Sequence, residues 1–330
     1  MELGGLATFF VFFLTLAGIY AVMSLGLNVQ WGFSGQFNIG IAGFWAVGSY
    51  TAAILSTNAS PFHLGGFGLP FAVGLVVAAV LSGLLALLIG LLCVNLRTDY
   101  LAIATIGIGE IVRLVLKNED WLTNGVRGIP GIPRPFAAYG RDLQQLLFLA
   151  VVLLTVLVVY LALERANRAP WGRVQRAIRE NEPATLAAGK NVLRFRLEAF
   201  VLGSAIMGVG GALYAHFVGF ISPEAFDPLF ATFIVWVMLI AGGSGNNRGA
   251  VLGAFLIWAV WSGTQFLTAY LPADLTVRAG ALRVLLVGVL LQVILLIRPE
   301  GLLREVPPKP VAPPAAEMPR GGGESERTRG

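Results

Sequence analysis

The chain has little charge, one cysteine and two histidines. Of its 330 residues 12% are charged and 56% are apolar, whereas a soluble domain carries about 25% charged residues. Length alone would suggest about two soluble domains, but so little polar surface could not cover them in water. A single thiol, Cys93, excludes a disulfide scaffold, and two distant histidines argue against a zinc site. The composition therefore indicates a polytopic membrane protein.

The few charges are also unevenly distributed. No Asp, Glu, Lys or Arg lies between Glu2 and Arg97. The stretch from Glu164 to Glu198 holds eight of the 23 basic residues: Arg165, Arg168, Arg173, Arg176, Arg179, Lys190, Arg194 and Arg196. The net charge of +5 and pI near 9.7 could indicate nucleic-acid binding. A basic loop that stays in the cytoplasm is the favoured interpretation, because such loops orient membrane proteins.

Nine apolar segments approach the roughly 20 residues that a membrane-spanning helix requires. All are expected to be helical, because lipid satisfies no backbone hydrogen bond. The first segment lacks a basic leader and is too long for a signal peptide, so we expect it to be retained. The prediction is an all-α polytopic membrane protein with about 8–10 transmembrane helices, including broken or re-entrant segments. The segments are 6–29, 39–57, 70–95, 100–117, 145–163, 197–219, 229–242, 250–271 and 280–297.

The basic loop at 164–196 sets the expected topology. If it is cytoplasmic, the 118–142 loop is extracytoplasmic and the chain from Arg298 onward is cytoplasmic, where further basic residues lie. Residues 1–304 are expected to form the transmembrane domain. Residues 305–330, rich in Pro, Gly and charge, are expected to be a disordered cytoplasmic tail. The orientation of the N-terminus stays open, because no charge precedes Arg97 and a half-span near 31–40 would reverse it.

Polar residues cluster between positions 28 and 40, inside the uncharged front part of the chain. Polar side chains are unfavourable on a helix face that contacts lipid. Irregular helix at membrane depth is tolerated where it is buried in protein or lines a water-filled cavity. Close packing of small residues explains the accompanying glycines equally well. We therefore predict a discontinuous helix beside a polar pathway, with packing as the alternative. The polar residues of the stretch are Asn28, Gln30, Ser34, Gln36 and Asn38, and the candidate pathway residues among them are Asn28, Ser34, Gln36 and Asn38.

A second candidate lies in the span at 100–117. Glu110 and Arg113 are three residues apart, so they share a helix face and can pair. Ionisable groups within a span usually mark a bundle interior or a pathway. The pair lies near the outer end of the span, where a structural ion pair is an equally good interpretation. Thr105 and Glu110 are retained as pathway candidates.

Two loops have sequences that suggest interactions. The 118–142 loop, rich in Pro and Gly, is long enough to form a lid or to dock an external partner, and a plain connector is the alternative. The basic loop predicts two short helices. Val174, Ala177 and Ile178 give the first an apolar face. Pro183 can begin the second and Gly189 can end it, with Leu186 and Ala187 on its apolar face. A short amphipathic cytoplasmic helix suits a partner's groove, and a membrane-surface anchor is the alternative.

Two functions are weighed first, intramembrane proteolysis and ion-coupled secondary transport. Gly32-Phe-Ser-Gly35 matches the Gly-x-Ser-Gly of rhomboid proteases, which use a serine and a histidine, here Ser34 and His216. A near copy, Gly243-Ser-Gly-Asn246, shows that this motif arises easily in Gly-rich helices. An ion-coupled secondary transporter is the stronger rival. It usually needs carboxylates or other ion sites near the midplane, where Glu110 is a single, off-centre candidate.

The order and spacing of several motifs over about residues 20–304 resemble the LivM-type permeases of branched-chain amino acid ABC importers. The matching pieces are Leu27-Asn28, Gly32-Phe-Ser-Gly-Gln36 and Gly40, the run Tyr100–Arg113, Leu122-Thr-Asn-Gly125, Gly128-Ile-Pro-Gly-Ile-Pro133, the segment Arg176–Gly189, Ser222-Pro-Glu224, Gly242-Gly-Ser-Gly245 and Arg298-Pro-Glu-Gly-Leu-Leu303. Two positions depart from the family's pattern. Ile41-Ala-Gly-Phe44 stands where the family often has His-Ala-Ala-Phe, and Pro183 stands where coupling loops usually carry another residue.

The resemblance implies one membrane subunit of an importer for branched-chain or similar small amino acids in the inner membrane. Its implied partners are a second related permease, two cytoplasmic ATP-binding subunits and an extracytoplasmic substrate-binding protein that would face the 118–142 loop. The chain itself would bind no cofactor and catalyse no reaction, since ATP and Mg would be used by the partners and the sequence has no phosphate-binding Gly-x-x-x-x-Gly-Lys-Ser/Thr motif. The ligand, an amino acid, urea or a short amide, is set largely by the binding protein. The residues implied to couple to the ATPase are Arg176, Arg179, Glu180, Glu182, Pro183, Ala184 and Gly189.

Overall fold

The computed structural model describes residues 4–96, 98–269 and 279–305. The expected tail beyond residue 305 lies outside the described residues. The chain folds as an almost entirely helical protein, which confirms the predicted fold class. Its α-helices are α1 (Gly5–Leu27), α2 (Ile41–Ser56), α3 (Phe71–Cys93), α4 (Thr98–Asn118), α5 (Asp120–Thr123), α6 (Arg141–Arg168), α7 (Pro170–Glu180), α8 (Glu182–Ala187), α9 (Val192–Val218), α10 (Pro228–Gly242), α11 (Asn247–Ala269) and α12 (Ala279–Ile297).

Each of the nine predicted spans overlaps one of these helices. By length and composition, four of the described helices are able to cross a membrane. In α1 the helical path continues through a π-helical segment, Asn28–Phe33, so the first span reaches Phe33. The other described apolar helices are shorter. The four are Gly5–Phe33, Phe71–Cys93, Arg141–Arg168 and Val192–Val218, and the shorter ones are Ile41–Ser56, Ala231–Gly242 and Val284–Ile297.

Helix α9 lies at the centre of the bundle, against α1, α2 and α3. Small residues allow these helices to approach closely. A Cβ atom on Gly48 of α2 would lie 2.1 Å from the carbonyl oxygen of Gly208 in α9, and one on Gly26 of α1 would lie 2.7 Å from that of Gly203. Backbones at this separation exclude any side chain, as is typical of membrane helix interfaces. Close packing of small residues is therefore present at Gly26 and Gly48.

The loops define two ends of the bundle. Within the 118–142 loop, strand β1 (Ile129–Pro130) pairs antiparallel with β2 (Phe220–Ile221), which follows α9. We call this the outer end, and the end that carries α7 and α8 the inner end. Near the start of α1, the ring of Phe12 contacts that of Phe217 at the outer end of α9, with 5.1 Å between centroids. The described N-terminal residues therefore lie at the same end of the bundle as the 118–142 loop.

The outward faces of several helices are covered by large apolar side chains. On α6 these include Leu154, Leu157, Val158 and Leu161, each more than half exposed. Similar rows lie on α3 and α12, for example at Leu92 and Leu296. Exposed apolar surface of this extent is not stable in water and marks contact with lipid or with another protein.

Candidate functional site

The polar stretch at 28–40 joins α1 to α2 at the inner end of the bundle; we call it the polar break. After the π-helical turn, residues 34–40 have no regular structure, and Gly35 adopts a positive φ of 70°. The backbone amides and carbonyls freed there require other partners, because a buried, unpaired polar group is costly. The predicted discontinuous helix is therefore present, and its polar side chains are fully or almost fully buried.

Gln30 and Asn38 link the polar break to α9. The Gln30 amide donates to the Phe200 carbonyl oxygen at 2.8 Å and to the Ser204 hydroxyl at 2.9 Å. The Asn38 amide donates to the Gln30 side-chain oxygen at 2.8 Å, and the Asn38 oxygen accepts from the Gly40 backbone amide at 2.7 Å. These bonds hold the irregular segment against the central helix.

Ser34 and Gln36 form a second link closer to the inner end. The Ser34 hydroxyl donates to the Gln30 carbonyl oxygen, and the Gln36 amide donates both to that hydroxyl and to the Arg196 carbonyl oxygen, each at 2.8 Å. The Gln36 side-chain oxygen is buried without a hydrogen-bond partner among the described residues. The Arg196 contact ties the polar break to the first turns of α9.

Asn28 connects α1 to the turn between α10 and α11. Its side-chain oxygen accepts from the Gly245 amide at 2.8 Å, and its amide donates to the Asn247 side-chain oxygen at 3.0 Å. The Asn247 amide in turn donates to Glu164 of α6 at 3.2 Å. Asn247 and Glu164 were not predicted from the sequence as members of this network. In the sequence, each of them is only a polar residue at the end of an apolar span. Such a residue does not indicate a hydrogen-bond partner more than 80 residues away.

Helix α4 contacts the polar break through Thr105. The Thr105 hydroxyl accepts from the Ile39 backbone amide at 3.0 Å, and the residue lines a cavity of about 10 Å³ between α2, α3 and α4, about the space of one water molecule. Thr105 therefore lies beside the other pathway candidates. Glu110, farther along α4, does not.

Glu110 belongs instead to an ion-pair cluster near the outer end. Arg113 donates to Glu110 at 2.9 Å and lies 3.6 Å from Glu224, which follows β2. Lys117 donates to Glu224 at 2.9 Å, and this hydrogen bond is the main reason why the pKa of the Glu224 carboxyl lies below its ordinary value. These contacts match the interpretation as an ion pair at the outer mouth and join α4 to the segment that precedes α10.

The inner end carries the two short helices predicted from the basic loop, α7 and α8. In α8, the Asn181 side chain caps the helix by accepting from the Ala184 amide at 3.0 Å, Pro183 lies in the first turn and Gly189 follows with a φ of 74°. The predicted contact face of α7 is wrong in part, because Ala177 is exposed and Gln175 is buried. Gln175 donates to the Phe195 carbonyl oxygen at 2.7 Å, so a polar residue makes the contact with α9.

The coupling candidates divide into two groups. Arg176, Arg179 and Glu182 hold α7 and α8 to the bundle: Arg176 donates to Asn167 at 2.6 Å, Glu182 pairs with Arg196 at 3.0 Å, and Arg179 donates to the Gly32 carbonyl oxygen of the polar break. Arg179 also pairs with Glu305 at 2.7 Å, although Glu305 was assigned to the tail from its sequence. The second group is exposed on the inner surface. It comprises Glu180, Pro183, Ala184 and Gly189.

The structure excludes the rhomboid-like arrangement of Ser34 and His216. Ser34 bonds to Gln36, which contacts Arg196 near the inner start of α9, whereas His216 contacts the Pro133 carbonyl oxygen at 2.8 Å near its outer end. Twenty residues of helix separate Arg196 from His216, about 30 Å at 1.5 Å per residue. Within residues 4–96, 98–269 and 279–305, moreover, no group of three or more His, Cys, Asp or Glu is arranged to hold a metal ion.

Comparison with known proteins points to one family. The family described as "Branched-chain amino acid transport system / permease component" matches residues 9–295 of the chain. The LivM permease protein of the high-affinity branched-chain amino acid transport system of Escherichia coli K12 is 32% identical over 95% of this chain and 73% of its own length. A probable LivM of Methanocaldococcus jannaschii is 30% identical over 90% of this chain and 93% of its own.

A more distant relative is the LivH permease protein of the same kind of system in Salmonella typhimurium. It is 25% identical over 74% of this chain and 80% of its own length. No solved structure matches the chain significantly.

Proposed function

The chain belongs to the family of branched-chain amino acid transport permeases, and on this basis we propose that it is a membrane subunit of an ATP-driven importer. The cargo proposed is a branched-chain or similar small amino acid, as the names of its relatives suggest. The membrane proposed is the inner membrane, which the chain would cross several times.

One observation carries the mechanism: the contact between α7 and the polar break. Arg179 joins α7 to the Gly32 carbonyl oxygen, while the neighbouring α8 presents Pro183, Ala184 and Leu186 to the surroundings. An exposed apolar face on a short helix suits docking into a groove of a partner. Helix α8 follows α7 directly in the chain. A partner that moves α8 would therefore also move α7, and through Arg179 it would act on the junction between α1 and α2.

The partners proposed are a second related permease, two ATP-binding subunits at the inner end and a substrate-binding protein at the outer loop. ATP and Mg would be bound by the ATP-binding subunits, with no cofactor in this chain. The excess of basic residues around α7 and α8 supports a cytoplasmic inner end, so the C-terminus would also be cytoplasmic. The two permease types named among the relatives, LivM and LivH, support a pair of related subunits.

The polar break is proposed to border the translocation pathway. Ser34, Gln36 and Asn38 are linked by hydrogen bonds through Gln30, and Thr105 adjoins them from α4. Asn28, at the start of the polar break, bonds to Gly245 and Asn247. Their mutual hydrogen bonds close this region in the conformation described. Opening it would require those bonds to be exchanged, and a rearrangement of the Arg179–Gly32 contact provides a route for that change.

The proposed function is tested in liposomes that contain the chain with its partner subunits. Leucine uptake should require ATP, and the chain alone should not transport under an ion gradient. Uptake driven by an ion gradient without the ATP-binding subunits would instead establish a secondary transporter. Leu186→Asp should abolish ATP-driven uptake while insertion into the membrane is unchanged, since the Leu186 side chain is 53% exposed and α8 makes its packing contact through Thr185.

A matched control is Leu96→Asp. Leu96 is also exposed, 38%, and follows α3 at the same end of the bundle. This variant should retain uptake. Normal uptake with Leu186→Asp would contradict the assignment of α8 as the docking helix.

A further inference from the structure

A large cavity with an unusual concentration of positive charge lies at the inner end, beside α6 and α7. Its volume is about 780 Å³. Five arginines line it, against a single carboxylate from Glu164. The arginines are Arg168, Arg173, Arg176, Arg248 and Arg304, and we call the space the arginine cavity.

Most of this charge is not neutralised by the protein. Arg168 and Arg304 pair with carboxylates, Glu164 at 2.7 Å and Glu300 at 3.1 Å. Arg176 and Arg248 bond to neutral groups, the latter to the Tyr160 hydroxyl at 3.2 Å. Arg173 makes no side-chain hydrogen bond or ion pair within the described part of the chain. A cluster of guanidinium groups with few carboxylates is a favourable environment for an anion, and for phosphate above all, because each guanidinium can donate two parallel hydrogen bonds to it.

The surroundings of the cavity indicate where the anion comes from. One wall is the inner end of α6, and one to three turns farther out the same helix presents Leu157 and Leu161 outward. Tyr160, which accepts the bond from Arg248, lies between them, and tyrosine is enriched where hydrocarbon meets the polar headgroups. A cavity lined by guanidinium groups, on a helix that also carries exposed apolar side chains, matches both parts of a phospholipid. A soluble anion would use only the basic part.

We propose that the arginine cavity binds the phosphate headgroup of an anionic phospholipid, whose acyl chains lie along the exposed face of α6. Basic pockets at the inner membrane surface favour such lipids because the leaflet itself is negatively charged. Inorganic phosphate and nucleotides share the headgroup chemistry but lack the acyl chains. The proposal is independent of the transport cycle, since it concerns the resting contacts of one subunit with the membrane.

The occupant also touches the network of the polar break. Glu164 accepts hydrogen bonds from both Arg168 and Asn247, and Asn247 bonds to Asn28. A phosphate in the cavity would compete with Glu164 for the Arg168 guanidinium, and Glu164 would keep its hydrogen bond from Asn247.

Native mass spectrometry of the detergent-purified chain tests the proposal. Phosphatidylglycerol should remain bound under conditions that remove phosphatidylcholine. Arg173→Gln should lower phosphatidylglycerol binding at least about threefold, and Arg173→Gln with Arg248→Gln at least about tenfold. Arg165→Gln is the matched control, because Arg165 is exposed in the last turn of α6 outside the cavity, and it should retain the lipid. The single variant removes no internal side-chain contact of Arg173 within the described residues, so its folding should be unaffected.

Three results would overturn the proposal. The first is equal phosphatidylglycerol retention by the double variant and the Arg165→Gln control. The second is displacement of the lipid by millimolar inorganic phosphate or ADP, which would show that the cavity takes soluble anions. The third is loss of the lipid from the transporter assembled with its partner subunits, which would show that the cavity is a subunit contact. Retention in the assembled transporter, with loss only in the cavity variants, would support it.

Discussion

Arg179 and Glu305 form an ion pair of 2.7 Å between α7 and the segment that follows α12. About three quarters of each side chain is buried. The same guanidinium donates to the Gly32 carbonyl oxygen, and the side chain packs against Gly35. Arg179 of α7 thus joins the polar break to the segment that follows α12, and motion of α7 would act on both.

Replacing Arg179 should uncouple the two regions. Arg179→Gln removes the ion pair and weakens a charge-assisted hydrogen bond, a loss of about 1–2 kcal/mol, or a factor of roughly 5–30 in the linked equilibrium. Leucine uptake by the assembled transporter should fall by about that factor, while its ATPase activity persists. The measurement is the ratio of amino acid transported to ATP hydrolysed.

Two further variants separate the contacts of Arg179. Glu305→Gln keeps the bond to Gly32 and should have a smaller effect. Arg194→Gln is the control, because within the described residues the Arg194 side chain forms a single, exposed ion pair with Glu198 at 2.8 Å, which contributes about 0.3–0.5 kcal/mol. An unchanged transport ratio in Arg179→Gln would contradict a positioning role.

The crossing of α2 and α9 should not tolerate a single added carbon. Gly48→Ala places a Cβ against the Gly208 backbone, where no flexible side chain can move aside, and should cost at least about 1–3 kcal/mol. Gly107→Ala in α4 is the control, since nothing lies within 4 Å of its Cβ position, and it should gain up to about 1 kcal/mol from helix propensity. Thermal unfolding in detergent distinguishes them, and similar midpoints would refute the close approach.

Gln30 should be a stability hot spot of the polar break. Gln30→Met conserves volume but leaves the Asn38 amide, the Ser204 hydroxyl and the Phe200 carbonyl without their present partner. Unpaired buried polar groups cost about 1–3 kcal/mol each, so the midpoint of thermal unfolding should fall clearly. Ser204→Ala removes one of these bonds and should cost less. If Gln30→Met were no less stable than Ser204→Ala, the network would be dispensable.

The pathway proposal predicts labelling that depends on transport. With Cys93 replaced by Ala, single cysteines at positions 28, 36 and 38 should resist a small water-soluble thiol reagent in the resting protein, because the native side chains there are 2% exposed or less. ATP hydrolysis in the assembled transporter should make them reactive. Protection in every transport state would leave only the packing role. A cysteine at exposed position 126 should react throughout.

The outer ion pairs should weaken only in acid. The pKa of Glu224 lies below its ordinary value, chiefly because Lys117 donates to the carboxylate. Its contribution to stability is therefore complete above the ordinary glutamate pKa of about 4.3 and is lost as the pH falls through the lower, folded-state pKa. Glu224→Gln should lower the unfolding midpoint at pH 7, and the difference from the native protein should shrink below about pH 4. A difference that stayed constant over this range would exclude the ion pair as its cause.

The sequence determined those properties that depend on local composition. Runs of about 20 apolar residues can be stable only as helices in lipid, so a helix in each of the nine apolar segments was predictable. The helix α8 was predictable because proline begins helices and glycine ends them. The sequence of the basic loop predicted two short helices, α7 and α8, and the motif order from Leu27 to Leu303 indicated the family.

Only the tertiary structure decided which polar groups meet. Hydrogen bonds such as Asn28 to Gly245 and Arg179 to Gly32 join residues 147 to 217 positions apart, and no local pattern encodes such pairs. Gln175 took the place expected for Ala177 because a carbonyl of α9 lay within its reach. The position of the described N-terminal residues also depends on a tertiary contact. No charged residue lies between positions 3 and 96 to predict it, and the packing of Phe12 against Phe217 places these residues at the outer end of the bundle.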